Sequence, residues 1–156
     1  DVCHNIAKRE THLIDGHVRS LCVHRKVATR AFGPAHDKVP EDYRTIGQPV
    51  LVPGDMSTGS FIMVGTQQAM EETFGSCCHG AGRVMSRTAA RKMIRADDLR
   101  QQLTKRGIAL RAASNKGLVE EAPQAYKELD RVVRVTENAG LARLVARTVP
   151  MGVIKG

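Results

Sequence analysis

The residues best suited to do chemistry lie close together in FGSCCHGAGRVMSR, Phe74 to Arg87. His79 is followed by Gly80, Ala81 and Gly82, and the two glycines let the backbone turn tightly and approach a ligand. From Arg83 onward, apolar Val84, Met85, Ala89, Ala90, Met93 and Ile94 alternate with Arg87, Arg91, Lys92 and Arg95, a pattern that predicts a helix. A glycine turn opening a helix offers free N–H groups and the positive end of the helix dipole to an anion. Arg83 and Arg87, four apart on such a helix, share one face and can grip phosphate oxygens. An imidazole beside that cradle can act as base, metal ligand or nucleophile towards phosphorus. The same pattern also describes a helix start with a histidine near its cap and a solvated basic face, and at this level both readings stand.

Further cations sit beside turns. Arg25, Lys26 and Arg30 crowd the stretch HRKVATRAFGP, where backbone amides can join them on an anion or where they form a charged strand edge. His4 precedes Asn5, and none of the six histidines pairs with another at HExxH or comparable spacing. His4 therefore reads as a structural histidine or as one ligand of a metal site completed elsewhere. Tyr126 reads as a core residue, Lys155 as a terminal cation, and Glu120-Glu121 as acids favouring the start of the following helix.

Composition narrows the class. A chain of 156 residues is long enough for a real core and for one domain or part of one. With 24 Lys plus Arg against 16 Asp plus Glu, it carries a formal charge of +8 and suits a polyanionic partner. Aromatic residues are only 3%, which argues against binding single strands by rows of stacked rings. Four cysteines lack CxxC spacing and read as reduced thiols. With no long apolar run and no signal peptide in view, a cytoplasmic protein is expected. The chain begins at Asp1 without Met and its motifs start at once, so it is expected to be part of something longer.

The elements that must position these residues read as an α/β (α+β) arrangement. Asp15-Gly16 signals a hairpin turn, and Leu21–Val23 a short β run. Val50–Val52 reads as a buried strand ended by Pro53-Gly54, and Phe61–Val64 as a second strand after a polar loop. Thr66 opens a helix, Asp97–Lys105 forms another with a cap at Arg106-Gly107, and Ile108–Ala112 is a strand. Asn115–Glu121 reads as a loop, Pro123 as the start of a long helix stopped by Gly140, and the tail as one terminal strand. One unit over residues 1–156 is expected.

Taken in order, DVCHNIAKRE, CVHRKVATRAF, GQPVLVPG, GTQQAMEETFGSCCHGAGRVMSR, EEAPQAYK and GVIKG resemble the C-terminal part of the RtcB family, the GTP-dependent RNA ligases of tRNA splicing and RNA repair. The resemblance runs nearly end to end and implies mixed sheets flanked by helices. It implies that His79 attacks the α-phosphate of GTP and is guanylylated. GMP then passes to an RNA 3′-phosphate, formed where needed from a 2′,3′-cyclic phosphate, and a 5′-hydroxyl displaces it. By the same matching, His4 is a ligand of Mn²⁺, and Lys26, Arg83 and Arg87 hold phosphates of nucleotide or RNA. Ser60, Tyr126 and Lys155, with the His79–Gly82 loop, form the nucleotide site, Tyr126 stacking on guanine and Lys155 bonding its edge. The implied partners are GTP and RNA, whether tRNA exon halves or other broken RNA ends.

Two departures stand out. The family usually reads HRKGATRAF where this chain has Val27, and PGSMGT followed by SY where it reads PGDMSTGSF, with Asp55, Ser57 and Phe61. Asp55 is expected to bring negative charge near the nucleotide. The cysteine, other histidines and acid that complete the family's metal site lie upstream of a segment like this one. The resemblance therefore implies another chain or segment as their source. The competing readings are a non-catalytic GTP- or RNA-binding module and an inactive fragment.

Overall fold

The computed structural model describes residues 4–155. In chain order the elements are strands β1 (Asn5–Ile14), β2 (His17–Lys26), β3 (Ala28–Arg30), β4 (Pro49–Pro53) and β5 (Ser60–Gly65), helix α1 (Gln67–Thr73) and strand β6 (Ser76–Cys78). Helices α2 (Arg87–Met93) and α3 (Ala96–Lys105), strand β7 (Ala109–Ala112), helices α4 (Asn115–Glu120) and α5 (Leu129–Asn138), and strands β8 (Ala142–Thr148) and β9 (Gly152–Lys155) follow. The fold class is α+β: the sheets are small and mixed, and helices alternate with them irregularly. The sequence reads as one unit; the described residues cluster into two. One comprises the chain up to Val52 with Phe61–Gly80 and Val133–Ala146, the other Pro53–Ser60, Ala81–Val132 and the chain from Arg147.

In the first unit, β1 and β2 form an antiparallel hairpin whose register runs from Asn5↔Lys26 to Ile14↔His17. The two residues between, Asp15 and Gly16, both take positive φ (50° and 76°), as a two-residue primed turn requires. Strand β3 pairs antiparallel with β6, and β4, β5 and β8 form a sheet in that order. Thr66 caps α1, its hydroxyl oxygen accepting the Ala69 N–H at 3.1 Å and its hydroxyl donating to the Gly140 carbonyl. Ala31, Phe32, Val50, Val52, Met63 and Ala69 are almost fully buried and make the core. Gly65 is required there, because a Cβ would lie 2.3 Å from the Ala31 carbonyl oxygen.

A buried ion cluster braces this unit. Arg25 donates from both terminal nitrogens to the Glu10 carboxylate at 2.8 Å each, from Nε to Ser76 Oγ, and to the Phe74 carbonyl. His12 Nε2 lies 3.1 Å from Glu10 Oε2. Burial alone raises the Glu10 carboxyl, but the guanidinium and the imidazole outweigh it, so the net shift is downward. Arg25, read from the sequence as part of a basic loop or strand edge, is instead internal.

The second unit packs α3, α4 and the parallel pair β7–β9 around Met56, Leu99, Leu103, Ile108, Leu118 and Ala122. Here four sequence expectations are corrected. The helix expected from Arg83 starts at Arg87, capped by the Ser86 hydroxyl on the Ala89 N–H, so Arg83 and Arg87 do not share a helical face. The expected loop Asn115–Glu121 is largely helix α4, because Ser114 caps it through the Gly117 N–H and Leu118 and Val119 face the core. The long helix expected from Pro123 is a single 3₁₀ turn, Pro123–Ala125, followed by Tyr126 in a β-bridge with Arg83 and only then α5. The expected single terminal strand is two strands, β8 and β9, separated by a break at Pro150. Proline supplies no N–H to continue a ladder.

Candidate functional site

Strand β6 delivers His79. Its ring meets that of His4 edge to face, with centroids 4.6 Å apart. Partial burial, reinforced by the His4 imidazole, pulls the His79 pKa below the usual histidine value, so the ring is neutral at neutral pH. A neutral imidazole keeps a nitrogen lone pair for phosphorus or a metal. His4 is exposed, and its carbonyl accepts the Val27 N–H at 2.9 Å, which ties it to the residue after Lys26. Lys26 is exposed at the end of β2, opposite Asn5. So His4, Lys26 and His79 belong to one unit, with His4 and His79 in direct contact.

Beside the nucleophile candidate lies a thiol pair that the sequence reading left without a role. Cys78 Sγ accepts from the Cys77 thiol at 4.0 Å and lies 3.3 Å from Thr136 Oγ1. The Cys77 thiol and, against the opposing effect of burial, the Thr136 hydroxyl and Gly80 N–H lower the Cys78 pKa to about 6. Cys77, buried and donating to its neighbour, is pushed upward. Among the described residues Cys22, Cys77 and Cys78 are unbridged; Cys3 lies outside the described residues.

In the second unit, Gly82 takes φ 70° with open space around it, so glycine serves the backbone conformation there. The buried Ala81 bonds its N–H to the Pro53 carbonyl at 3.0 Å. Arg83 is held from all three nitrogens: Nε donates to the Met85 carbonyl, Nη2 to the Glu120 carbonyl at 2.6 Å, and Nη1 to Tyr126 Oη and Glu121 Oε1. Its guanidinium carbon stands 5.0 Å from the centre of the Tyr126 ring. The Tyr126 hydroxyl donates to Glu121 Oε2, and burial together with that carboxylate raises the phenol pKa above its usual value. Arg87, largely exposed, lies 3.3 Å from Glu121 Oε1, and Arg91 lies 3.4 Å from Glu120 Oε1. Glu120 and Glu121 thus close α4 and neutralise arginines, and the expectation that they favour the start of a following helix is corrected.

Ser60, Tyr126 and Lys155 line one cleft of about 300 Å³, together with Gly54, Asp55 and Glu121. That volume is at the lower end for a small-molecule site. An aromatic ring, a lysine, a hydroxyl and a carboxylate in one cleft can hold a flat heterocycle with polar edges. Asp55 does bring a carboxylate to it, and Ser57 and Thr58 bind that carboxylate through backbone and hydroxyl groups.

The family model for the tRNA-splicing ligase RtcB matches residues 1–156. The chain belongs to the RtcB family. It is 60% identical over 156 residues to the tRNA-splicing ligase RtcB of Archaeoglobus fulgidus, covering all of this chain and 32% of that protein. Against the proteins of the same name from Pyrococcus abyssi and Thermococcus kodakarensis, identity is 57% and 56% over the whole chain, which covers 17% and 32% of them. The chain thus spans about a third or less of these RtcB relatives.

For a metal, the fit is incomplete. Among the described residues of this RtcB chain, no three His, Cys, Asp or Glu side chains converge on a common point. They do not make a manganese site by themselves. Among the described residues no helix is long and apolar enough to cross a membrane.

Of the residues lining the cleft, Glu121 is one that the sequence did not single out as a site residue. Its sequence signal was the pairing of two adjacent acids with the arginine-rich GRVMSR stretch, which becomes visible only when Tyr126 is recognised as bridging to Arg83.

Proposed function

We propose that this chain is the C-terminal portion of one RtcB-type ligase domain, to which both units belong, and that the ligase joins RNA 3′-phosphate or 2′,3′-cyclic phosphate ends to 5′-hydroxyl ends in tRNA splicing and RNA repair. The observation that carries this reading is the His79 imidazole in edge contact with His4, within a chain matched end to end by the ligase family. A His79 nitrogen bonds to the α-phosphorus of GTP as the bond to the β-phosphate oxygen breaks and pyrophosphate leaves. GMP moves to the RNA 3′-phosphate oxygen, returning His79 to its free form. The 5′-hydroxyl oxygen then attacks the phosphorus of the activated RNA 3′-phosphate, losing its proton, as the bond from that phosphorus to the bridging oxygen breaks and GMP departs.

In this reading Ser60, Tyr126 and Lys155 hold the guanine, the Gly80–Gly82 backbone follows the phosphates, and Lys26 and Arg87 meet nucleotide or RNA phosphates. Arg83 is engaged on all three nitrogens, so it acts mainly by setting Tyr126 and Glu121. His4 would be one manganese ligand, with the rest supplied by another chain or segment in the cytoplasm. The test is incubation with α-labelled GTP and Mn²⁺, followed by denaturing electrophoresis and acid treatment. An acid-labile label lost in His79→Ala supports the reading; a label undiminished in that variant removes His79 as nucleophile. Because burial and His4 depress the His79 pKa, labelling should persist into more acidic solution than an ordinary histidine allows, then fail as the ring protonates.

A further inference from the structure

We propose that a cavity in the first unit, lined by His12 and His36, receives one unpaired nucleobase and holds it by an adjacent donor and acceptor on the base edge. The inference rests on the RNA-ligase reading only for the source of that base. None of its lining residues is shared with the cleft of Ser60, Tyr126 and Lys155. The cavity measures about 400 Å³, within the range of small-molecule sites. Leu13, Pro34 and Met70 give it apolar walls, and Glu71 adds a carboxylate. No Lys or Arg lines it, so a phosphate has no counter-charge there. Among the described residues no three His, Cys, Asp or Glu side chains are grouped to hold a metal ion. The cavity suits a neutral ligand with flat faces and polar edges. Of such ligands, a nucleobase is the one that a chain of formal charge +8 draws in, through the phosphates attached to it.

Two ring nitrogens are left for that edge. The His12 side chain is only 3% exposed, and its Nε2 lies 3.1 Å from Glu10 Oε2. Arg25 already meets both oxygens of that carboxylate, so a neutral His12 ring with its proton on Nε2 completes the cluster. His12 Nδ1 then keeps its lone pair and has no hydrogen-bond partner among the described residues. Among those residues no sealed side-chain nitrogen or oxygen lacks a partner, so Nδ1 opens onto the cavity that its ring lines. His36 is the converse. Its Nδ1 accepts the Lys38 N–H at 3.1 Å, while Asp37, 3.0 Å from the same nitrogen, is 85% exposed and screened by water. Burial, helped by Lys38, Arg30 and His12, outweighs Asp37 and lowers the His36 pKa, so the ring is neutral and carries its proton on Nε2. That Nε2–H has no acceptor among the described residues. Both rings are held in place: His36 packs on Phe32 with centroids 4.0 Å apart, and His12 meets Phe74 edge-on at 5.3 Å. The cavity therefore offers one fixed acceptor and one fixed donor. Adenine answers with its amino group and the neighbouring ring lone pair, uracil with its ring N–H and the neighbouring carbonyl.

The experiment is a nuclear magnetic resonance titration of the whole chain, with nitrogen-15 in its histidine rings, against adenosine, uridine, N6,N6-dimethyladenosine and 3-methyluridine. Adenosine and uridine should shift the His12 and His36 ring signals. Each methylated partner, which has lost its donor, should bind about fivefold more weakly or worse. His36→Phe keeps a ring against Phe32 but has no Nε2–H, and it should weaken adenosine by about the same factor, about fivefold, with the melting temperature nearly unchanged. A single-stranded RNA pentamer that moves the same two signals at lower concentration than adenosine assigns the pocket to an RNA base. Adenosine acting as well as the pentamer assigns it to a free nucleoside, and both results support a base pocket. Equal affinities for the methylated and unmethylated nucleosides, or undiminished adenosine binding in folded His36→Phe, would overturn the proposal. Should His36→Phe fail to fold, the comparison of methylated with unmethylated nucleosides decides by itself. No shift with any nucleoside or with the pentamer would also overturn the pocket, while the His79 chemistry, read by labelling with GTP, would stand or fall separately.

Discussion

Val27 holds a conformation its side chain resists. Its φ is 53°, in the left-handed region, where a β-branched residue is a clear outlier and the cost is roughly 1–2 kcal/mol. The position cannot simply relax, because the Val27 N–H is bonded to the His4 carbonyl between Lys26 and strand β3. Val27→Gly should therefore raise stability by about 1 kcal/mol, the relief of strain being partly offset by glycine's larger unfolded-state entropy. Urea unfolding checks this, and a drop in stability would show that the Val27 side chain contributes packing worth more than the strain. The Cys78 thiol carries a second prediction. With a pKa of about 6 it should be alkylated by iodoacetamide with a rate midpoint near pH 6, while Cys77 stays unlabelled. Peptide mapping by mass spectrometry reads both. Thr136→Val should shift the midpoint upward, and a midpoint at about 8 or above in the unsubstituted protein, the range of an ordinary thiol, would refute the assignment.

At the scale of elements, the Glu10–Arg25 pair ties the β1–β2 hairpin to the turn after α1 through Ser76 and the Phe74 carbonyl. Removing one partner of a buried pair leaves the other charge uncompensated, at a cost of about 3–5 kcal/mol. Arg25→Ala should lower stability by that order, and a change below about 1 kcal/mol would mean water reaches Glu10 without rearrangement. The pH dependence follows from the downward shift of Glu10. Its contribution is present above the unfolded-state carboxyl pKa and is lost as pH falls through the lower folded value, so acid should selectively loosen this hairpin. The same scale shows what could be read from the chain. The hairpin at Asp15-Gly16, strands β4 and β5, the Thr66 start of α1, helix α3 and strand β7 all follow from local turn chemistry and periodicity. What failed was set by distant partners. Helix α4 tolerates Gly117 because Ser114 caps that very N–H and α4 packs on α2 and α3. The segment around Tyr126 is drawn out of helix by pairing with Arg83, far earlier in the chain, a tertiary interaction that no local window of residues contains. The cleft residues were legible only through family resemblance, since Ser60, Tyr126 and Lys155 share no local pattern.

At the scale of the whole molecule, a charge of +8 does not single out any cation, but the surroundings of the individual cations differ. Lys26 is exposed and makes no ion pair among the described residues, and Arg87 is 64% exposed in its side chain with its carboxylate partners shared with Arg83 and Arg91. Arg83, by contrast, is spent on two carbonyls, a carboxylate and a phenol. Removing one cation that neutralises a phosphate should flatten the dependence of log K on log salt by about 0.7 for single-stranded RNA. Lys26→Ala and Arg87→Ala should each reduce the slope by that amount with melting temperature nearly unchanged. Arg83→Ala should instead lower the melting temperature, because it removes one of the two cations on Glu121 and the guanidinium that braces Tyr126, and it should weaken GTP binding through the cleft. Nitrocellulose filter binding across a salt series, read beside thermal melts of the same variants, separates the two classes. A flattened slope without a melting change in Arg83→Ala would return that residue to the phosphate-binding set, and unchanged slopes for Lys26→Ala and Arg87→Ala would leave both as ordinary surface charge.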